Sequence, residues 1–182
     1  MGPRQVIFHP KYEPLFRDDR KGGPRYTVIT GGRASGKSTA VSTAGVCDTY
    51  RDNKTVLYSR YTMTAAEISV IPEYRDKITL LGKSNHFQVT KDIIINRKSG
   101  GGVIFWGIQT SSRHQTAKIK SNPHLRKFFL DEAQELVNPA DFDTIDLSIR
   151  DLEAPNEVWL ALNPSDIHHW IYKRFFRKPG VP

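Results

Sequence analysis

The stretch that decides the fold is residues 26–38, YTVITGGRASGKS. Its first part, Tyr26–Thr30, is β-prone and ends at two glycines, and a helix is predicted from Ser38 to about Tyr50. Gly31 and Gly36 enclose four residues and are followed by a Lys-Ser pair, which is the Walker A pattern. A strand, this loop and a helix in direct succession predict a phosphate-binding loop.

The residue types of this loop suit the phosphates of a nucleotide. Glycines let backbone N–H groups curl around phosphate oxygens, and the N-terminal end of the following helix presents a positive partial charge. Lys37 is expected to reach the β- and γ-phosphates, and the Ser38 hydroxyl is expected to ligate Mg²⁺. The predicted ATP-binding residues are Gly31, Gly32, Arg33, Ala34, Ser35, Gly36, Lys37, Ser38 and Thr39.

An apolar run that ends in two carboxylates, Phe128–Glu132, has the Walker B form. Asp131 is expected to hold Mg²⁺ together with Ser38, as the acid at a strand end does in P-loop enzymes. Glu132 is placed to orient and deprotonate the attacking water, which is a general-base role. The alternative is that the Asp-Glu pair only opens a solvated loop. A glutamate at this place favours hydrolysis over phosphoryl transfer to a second substrate.

The remaining elements alternate between strands and helices. Strands are predicted at 55–59, 87–90, 93–96, 103–106 and 158–162, and helices at 64–81, interrupted at Pro72, and at 167–176. This alternation predicts an α/β fold with a mostly parallel central sheet covered on both faces. Together with the Walker A loop and a Walker B strand followed by a glutamate, it indicates the three-layer α/β/α sandwich of an ASCE-type P-loop NTPase. Since ligands bind at the carboxyl ends of parallel strands, Gly31, Asp131 and Asn163 are expected to converge at one edge.

Composition bounds the class of protein. With 27 Lys and Arg against 19 Asp and Glu, the 182-residue chain has a net charge of +8. Such a charge attracts polyanions such as nucleic acid, although an ordinary basic surface has the same composition. No apolar run approaches the roughly 20 residues of a membrane helix, and the N-terminus lacks the apolar stretch of a secretion signal. With Cys47 as the one cysteine, we expect a soluble intracellular protein without a disulfide, and no zinc site at His168-His169.

Several segments in order resemble one protein family. They are the arginine-containing Walker A loop, Val56–Arg60, Ile104–Ile108, Lys118–Ser121, Phe129–Glu135, and Asn163–Ser165 followed by His169-Trp170 and Tyr172–Phe176. Together they resemble the ATPase domain of the large subunit of a tailed-bacteriophage terminase, the motor that packages DNA into procapsids. The resemblance covers nearly the whole chain.

The resemblance implies roles for further residues. Arg33 is expected to contact the γ-phosphate in cis. Asn163 is expected to belong to a coupling motif that senses the γ-phosphate, and its alternative is an ordinary Asn-Pro turn. A ring motor also implies a trans-acting arginine finger, a group worth about 10³–10⁵ in rate. The finger candidates are Arg113 and Arg126, with Lys118 and Lys120 as basic alternatives, and each is equally well explained as a solvated or DNA-facing charge.

Partners and a location also follow from the resemblance. They are double-stranded DNA bound through its backbone without sequence preference, a homo-oligomeric ring, the portal and the small terminase subunit, in the cytoplasm of the infected bacterial host. Residues 1–176, with an irregular lead-in at 1–25, are expected to form the ATPase domain. Residues 177–182 are expected to begin a linker to an absent nuclease domain, so no DNA cleavage is predicted. A helicase-like or recombinase-like ATPase and a small-molecule kinase are the alternatives.

Overall fold

The computed structural model describes residues 6–17, 23–109, 125–153, 155–164 and 166–177. Over these residues the chain forms a seven-stranded sheet. Its strands are β1 (Tyr26–Thr30), β2 (Thr55–Arg60), β3 (Phe87–Val89), β4 (Ile93–Asn96), β5 (Gly102–Gly107), β6 (Leu125–Leu130) and β7 (Glu157–Leu162).

The strand order is β1-β7-β6-β2-β5-β4-β3. The strands from β1 to β5 in this order are parallel, whereas β4 pairs antiparallel with β5, and β3 antiparallel with β4. The prediction of a mostly parallel sheet is confirmed. β7 lies between β1, which leads into the Walker A loop, and β6, which ends before Asp131. Thr30 is opposite Leu162, and Leu130 is opposite Leu160, so the carboxyl ends of these three strands lie side by side.

Helices cover both faces of this sheet. They are α1 (Lys37–Asp48), α2 (Met63–Ala65), α3 (Ile71–Leu80), α4 (Pro139–Asp146) and α5 (Trp170–Phe175). A π-helical turn, Ala66–Val70, joins α2 to α3, and 3-10 turns cover Pro10–Phe16, Ser84–His86 and Ala133–Glu135. In the part of the chain that the structure describes, no helix is long and apolar enough to cross a bilayer.

The core is divided by the sheet into two clusters. Every residue of β6 and β7 is buried, and alternate side chains of a strand point to opposite faces. Tyr58 of β2 packs in the cluster that contains Tyr74 of α3. Its neighbour Leu57 packs in the other cluster, which contains Phe142 of α4. Burial on both faces gives the three layers that the sequence predicted.

Two predicted helices differ in detail from those observed. The interruption expected at Pro72 is absent, because this proline lies in the first turn of α3, where its missing N–H group needs no partner. The irregularity comes before it, in the π-helical turn. The last helix begins at Trp170 rather than at Ile167, because His169 is extended and its Nδ1 accepts the N–H of Ile171 at 3.3 Å.

A close approach between α1 and α3 places the second helix beside the Walker A loop. Tyr74 of α3 is 1% exposed and packs against Gly45 of α1, where a Cβ atom would overlap the Tyr74 hydroxyl. Only glycine at position 45 permits this contact. The residue before Tyr74, Glu73, is thereby brought to the phosphate-binding loop.

Candidate nucleotide site

The Walker A loop encloses one side of a cavity of about 520 Å³. Ala34 and Gly36 have left-handed backbones, with φ of 60° and 86°, which turn the loop around the N-terminal end of α1. The segment before β1 contacts the loop, since the Tyr12 hydroxyl donates to the Ser35 carbonyl oxygen at 2.7 Å. The cavity is lined by Arg33, Ala34, Ser35, Gly36, Lys37, Ser38, Thr39, Glu73, Glu132 and Asn163.

The Lys37 ammonium group lies within this loop, and the residue is 9% exposed. Its Nζ donates to the carbonyl oxygens of Gly31 and Gly32, at 2.5 and 3.0 Å, and to Ser35 Oγ at 3.3 Å. Gly31 and Gly32 are thus in contact with Lys37 and are not among the residues that line the cavity. A fourth bond, at 3.0 Å, goes to Oδ1 of Asn163, which follows β7. Because these are all oxygen acceptors, the buried charge is well compensated.

Asp131 follows β6 and is 6% exposed, and it is not among the residues that line the cavity. Burial raises its pKa to about 6; Arg60, with Nη1 at 3.8 Å from Oδ2, opposes this rise, and the neighbouring Glu132 adds to it. A buried carboxylate with so little compensation favours a cation. The described residues hold no group of three or more His, Cys, Asp or Glu side chains with metal-ligand geometry. Ser38 and Asp131 suit Mg²⁺, which takes few protein oxygens and fills its shell with water and phosphate.

Glu132 directly follows Asp131, two residues after the end of β6. Its backbone is left-handed, with φ of 50°, which is uncommon outside glycine and asparagine. Its Oε2 accepts from Nδ2 of Asn163 at 2.9 Å and from Nε2 of Gln134. Because Glu132 also lines the cavity, its carboxylate is held at the cavity wall.

Asn163 connects the two halves of the site. Its amide accepts from Lys37 through Oδ1 and donates to Glu132 through Nδ2. This contact depends on strand order, because β7 lies between β1 and β6. The sequence predicted that Asn163 lies at the carboxyl ends of the strands, but its direct bonds to Lys37 and Glu132 are visible only in the folded chain.

The other predicted residues have different outcomes. Arg33 lines the cavity, as a cis contact requires. Arg113, Lys118 and Lys120 lie outside the described residues. Arg126 is 1% exposed near the start of β6, beside Asp52 at 3.7 Å and Glu157 at 3.8 Å. A side chain buried in the sheet, at the end remote from the Walker A loop, has no path to a neighbouring subunit, so Arg126 is withdrawn as a finger candidate.

Two residues of the site were missed in the sequence. Glu73 of α3 accepts from Thr39 Oγ1 at 3.0 Å and lines the cavity, yet nothing in its local sequence marks it. Gln134 contacts Glu132 through its side chain and accepts the backbone N–H of Asn163 at 3.2 Å. Its position two residues after the Walker B glutamate was the available signal.

The sequence matches the family model described as phage terminase large subunit over residues 24–180. The chain belongs to this family. The resemblance that the ordered motifs carried is thereby confirmed. No curated protein matches the chain.

Solved terminase structures share the fold at low sequence identity. The large terminase of a thermophilic bacteriophage is 17% identical with a TM-score of 0.71, and the match covers 95% of this chain and 43% of that one. For the HK97 bacteriophage large terminase the values are 14% and 0.68, covering 90% and 35%. For the ATPase domain of the Thermus phage P74-26 large terminase they are 18% and 0.64, covering 97% and 74%. The fold is therefore that of a P-loop NTPase, and the chain spans less than half the length of the first two relatives.

Proposed function

We propose that this chain hydrolyses ATP in the presence of Mg²⁺ and that the hydrolysis powers translocation of double-stranded viral DNA into procapsids. The observation that carries the proposal is the hydrogen-bonded path from Lys37 through Asn163 to Glu132. It joins a phosphate-binding group to a water-activating group across one cavity. The thermophilic-phage terminase of the same fold was solved with ADP and with ATP-gamma-S, which supports a nucleotide in this cavity.

The chain's own residues divide the chemistry between them. Backbone N–H groups of the Walker A loop and the Lys37 ammonium bind the β- and γ-phosphates, and Arg33 contacts the γ-phosphate from the same loop. Ser38 and Asp131 hold Mg²⁺, which neutralises charge on the phosphate oxygens when bound. Glu132 orients the attacking water and accepts its proton. The attack breaks the bond between the γ-phosphorus and the bridging oxygen, releasing ADP and phosphate.

Asn163 links the state of the phosphates to the position of Glu132. The Lys37 ammonium group that donates to Asn163 is also the group that binds phosphate, so a bound γ-phosphate competes with the Asn163 amide for it. When Asn163 loses Lys37, its second bond, to Glu132, is free to shift. This competition supports the assignment of Asn163 to the coupling motif.

Assembly and DNA contact rest on family membership and charge. The net charge of +8 suits backbone contacts with DNA that do not read its sequence. A homo-oligomeric ring places a finger from one subunit in the next subunit's site, and Arg113, with Lys118 and Lys120 as alternatives, stays the candidate. The portal and the small terminase subunit are the further partners, in the cytoplasm of the infected host.

The test measures phosphate release from Mg-ATP against protein concentration, with and without double-stranded DNA. Glu132→Gln removes the base while keeping the size of the side chain, so turnover should fall about 10²–10⁴-fold. Glu13→Gln is the matched control, since Glu13 is exposed and, among the described residues, pairs with Arg17. A rate that rises faster than linearly with protein and responds to DNA supports a subunit-coupled motor. Full activity in Glu132→Gln would refute the catalytic assignment, and a linear, DNA-indifferent rate would refute the motor role for this chain.

A further inference from the structure

Gln134 closes a ring of hydrogen bonds around Glu132. Its Nε2 donates to Oε2 of Glu132, and its Oε1 accepts the backbone N–H of Asn163 at 3.2 Å. Asn163 completes the ring by donating from Nδ2 to the same Oε2 at 2.9 Å. Three side chains from two strand ends are thus tied together.

The orientation of both amides follows from their partners. Lys37 and a backbone N–H group only donate, whereas an ionised carboxylate only accepts. Oδ1 of Asn163 must therefore face Lys37, and Oε1 of Gln134 must face the N–H of Asn163. Reversing either amide would bring two donors or two acceptors together, so the ring has a single arrangement.

The ring opposes backbone strain at Glu132. A left-handed backbone is strained at a residue with a side chain, so the chain does not hold this conformation unaided. Two amide donors on Oε2 fix one oxygen and leave Oε1 as the oxygen for a water. Gln134 also lines a second cavity, of about 350 Å³, with apolar neighbours such as Leu162 and Pro164. Hydrogen bonds in such surroundings are stronger than in water.

We propose that Gln134 is a positioning residue for hydrolysis. It orients the Glu132 carboxylate, and its bond to the Asn163 N–H makes that orientation depend on the position of the segment after β7. The proposal rests on the proposed ATPase function. It predicts that Gln134 affects turnover and leaves nucleotide binding intact, because no bond of the ring reaches the Walker A loop except through Asn163.

Two substitutions separate the two bonds of Gln134. Gln134→Leu removes both, whereas Gln134→Glu keeps an acceptor for the Asn163 N–H but places a carboxylate against Glu132. We expect Gln134→Leu to lower kcat about 10–100-fold, the scale of a misaimed catalytic group, with the dissociation constant for fluorescent ADP unchanged within about twofold. In Gln134→Glu, the carboxylate cannot donate to Oε2 of Glu132, so kcat should also fall about 10–100-fold while the bond to the Asn163 N–H is kept. Gln88→Leu, on the exposed edge strand β3, is the matched control.

A second readout does not depend on turnover. The Asn163 amide proton should exchange with solvent faster in Gln134→Leu than in wild type, and at the wild-type rate in Gln134→Glu. The inference is overturned if Gln134→Leu keeps full kcat while the wild type is active, or if it loses ADP binding, which would indicate a merely structural role. If the wild type binds no nucleotide, the proposed function itself fails, which is a distinct result.

Discussion

Asp131→Asn is expected to stabilise the nucleotide-free protein at pH 7 while abolishing its Mg²⁺-dependent gain in nucleotide affinity. The Asp131 side chain is 9% exposed, and burial raises its pKa from an ordinary 3.8 to about 6. At pH 7 the folded chain therefore carries a carboxylate that is ionised against its surroundings. The difference between the two pKa values corresponds to about 3 kcal/mol. Asparagine has the same shape without the charge, so up to about that free energy of unfolding should be regained.

The pH dependence of this gain has a definite sign. The folded state binds the Asp131 proton more tightly than the unfolded state does, so this residue lowers the free energy of unfolding as pH rises from about 4 to about 6. The advantage of Asp131→Asn should be full at pH 7 and small near pH 4. Asp143 is the control of opposite sign, because a hydrogen bond from Arg174 lowers its pKa. Asp143→Asn should lose stability at neutral pH, and the loss should fade as the medium becomes acidic.

Urea unfolding in EDTA, followed by tryptophan fluorescence at pH 7 and at about pH 4.5, measures both variants against the wild type. In a parallel titration with ADP, added Mg²⁺ should raise the unfolding midpoint further in the wild type but not in Asp131→Asn. If Asp131→Asn is no more stable than wild type at pH 7, or if its advantage is as large in acid, then burial does not strain this carboxylate and the reasoning is wrong.

Three further outcomes are expected. Asn163→Leu should lower kcat about 10–100-fold in a phosphate-release assay. It removes two charge-assisted hydrogen bonds worth about 1.5–3 kcal/mol each, and only part of that free energy is expressed in the rate. Unchanged turnover would exclude a coupling role. Gly45→Ala should reduce the free energy of unfolding in urea by about 1–3 kcal/mol, because its methyl group overlaps the Tyr74 hydroxyl; equal stability would mean that α3 moves away without cost. Glu73→Gln keeps an acceptor for Thr39 but removes a negative charge beside the phosphate loop. ADP affinity in EDTA should therefore rise about two- to fivefold in an equilibrium titration, the effect of roughly 0.5–1 kcal/mol, and weaker binding would show that Glu73 has another role.

Local sequence was enough to predict the phosphate loop and the acidic strand end. The loop's geometry depends on contiguous residues, since Gly36 supplies a left-handed backbone and the helix that begins at Lys37 follows at once. The strand β1 was predicted with its observed bounds for a similar reason, because β-prone residues stop at a glycine pair. Alternation of strands and helices was enough for the layered fold, since burial on both faces requires it.

Tertiary structure alone decided the contacts between these pieces. The pairing of β7 with β1 joins segments more than a hundred residues apart, and no local pattern predicts that β7 lies between β1 and β6. A separation of 34 residues hid Glu73 in the sequence, and Glu73 reaches Thr39 only because Gly45 lets α3 approach α1.

Burial was the other property that sequence left open. Arginine is the residue type of a trans-acting finger, but Arg126 lies on a strand inside the sheet, where neighbouring carboxylates compensate its charge. The sequence by itself thus determined the chemistry carried by contiguous residues, which is that of the phosphate-binding loop and the Asp131-Glu132 pair. The order of its motifs also determined the family. The fold decided which distant side chains meet, because hydrogen bonds and ion pairs act over a few ångströms of space and are indifferent to separation along the chain.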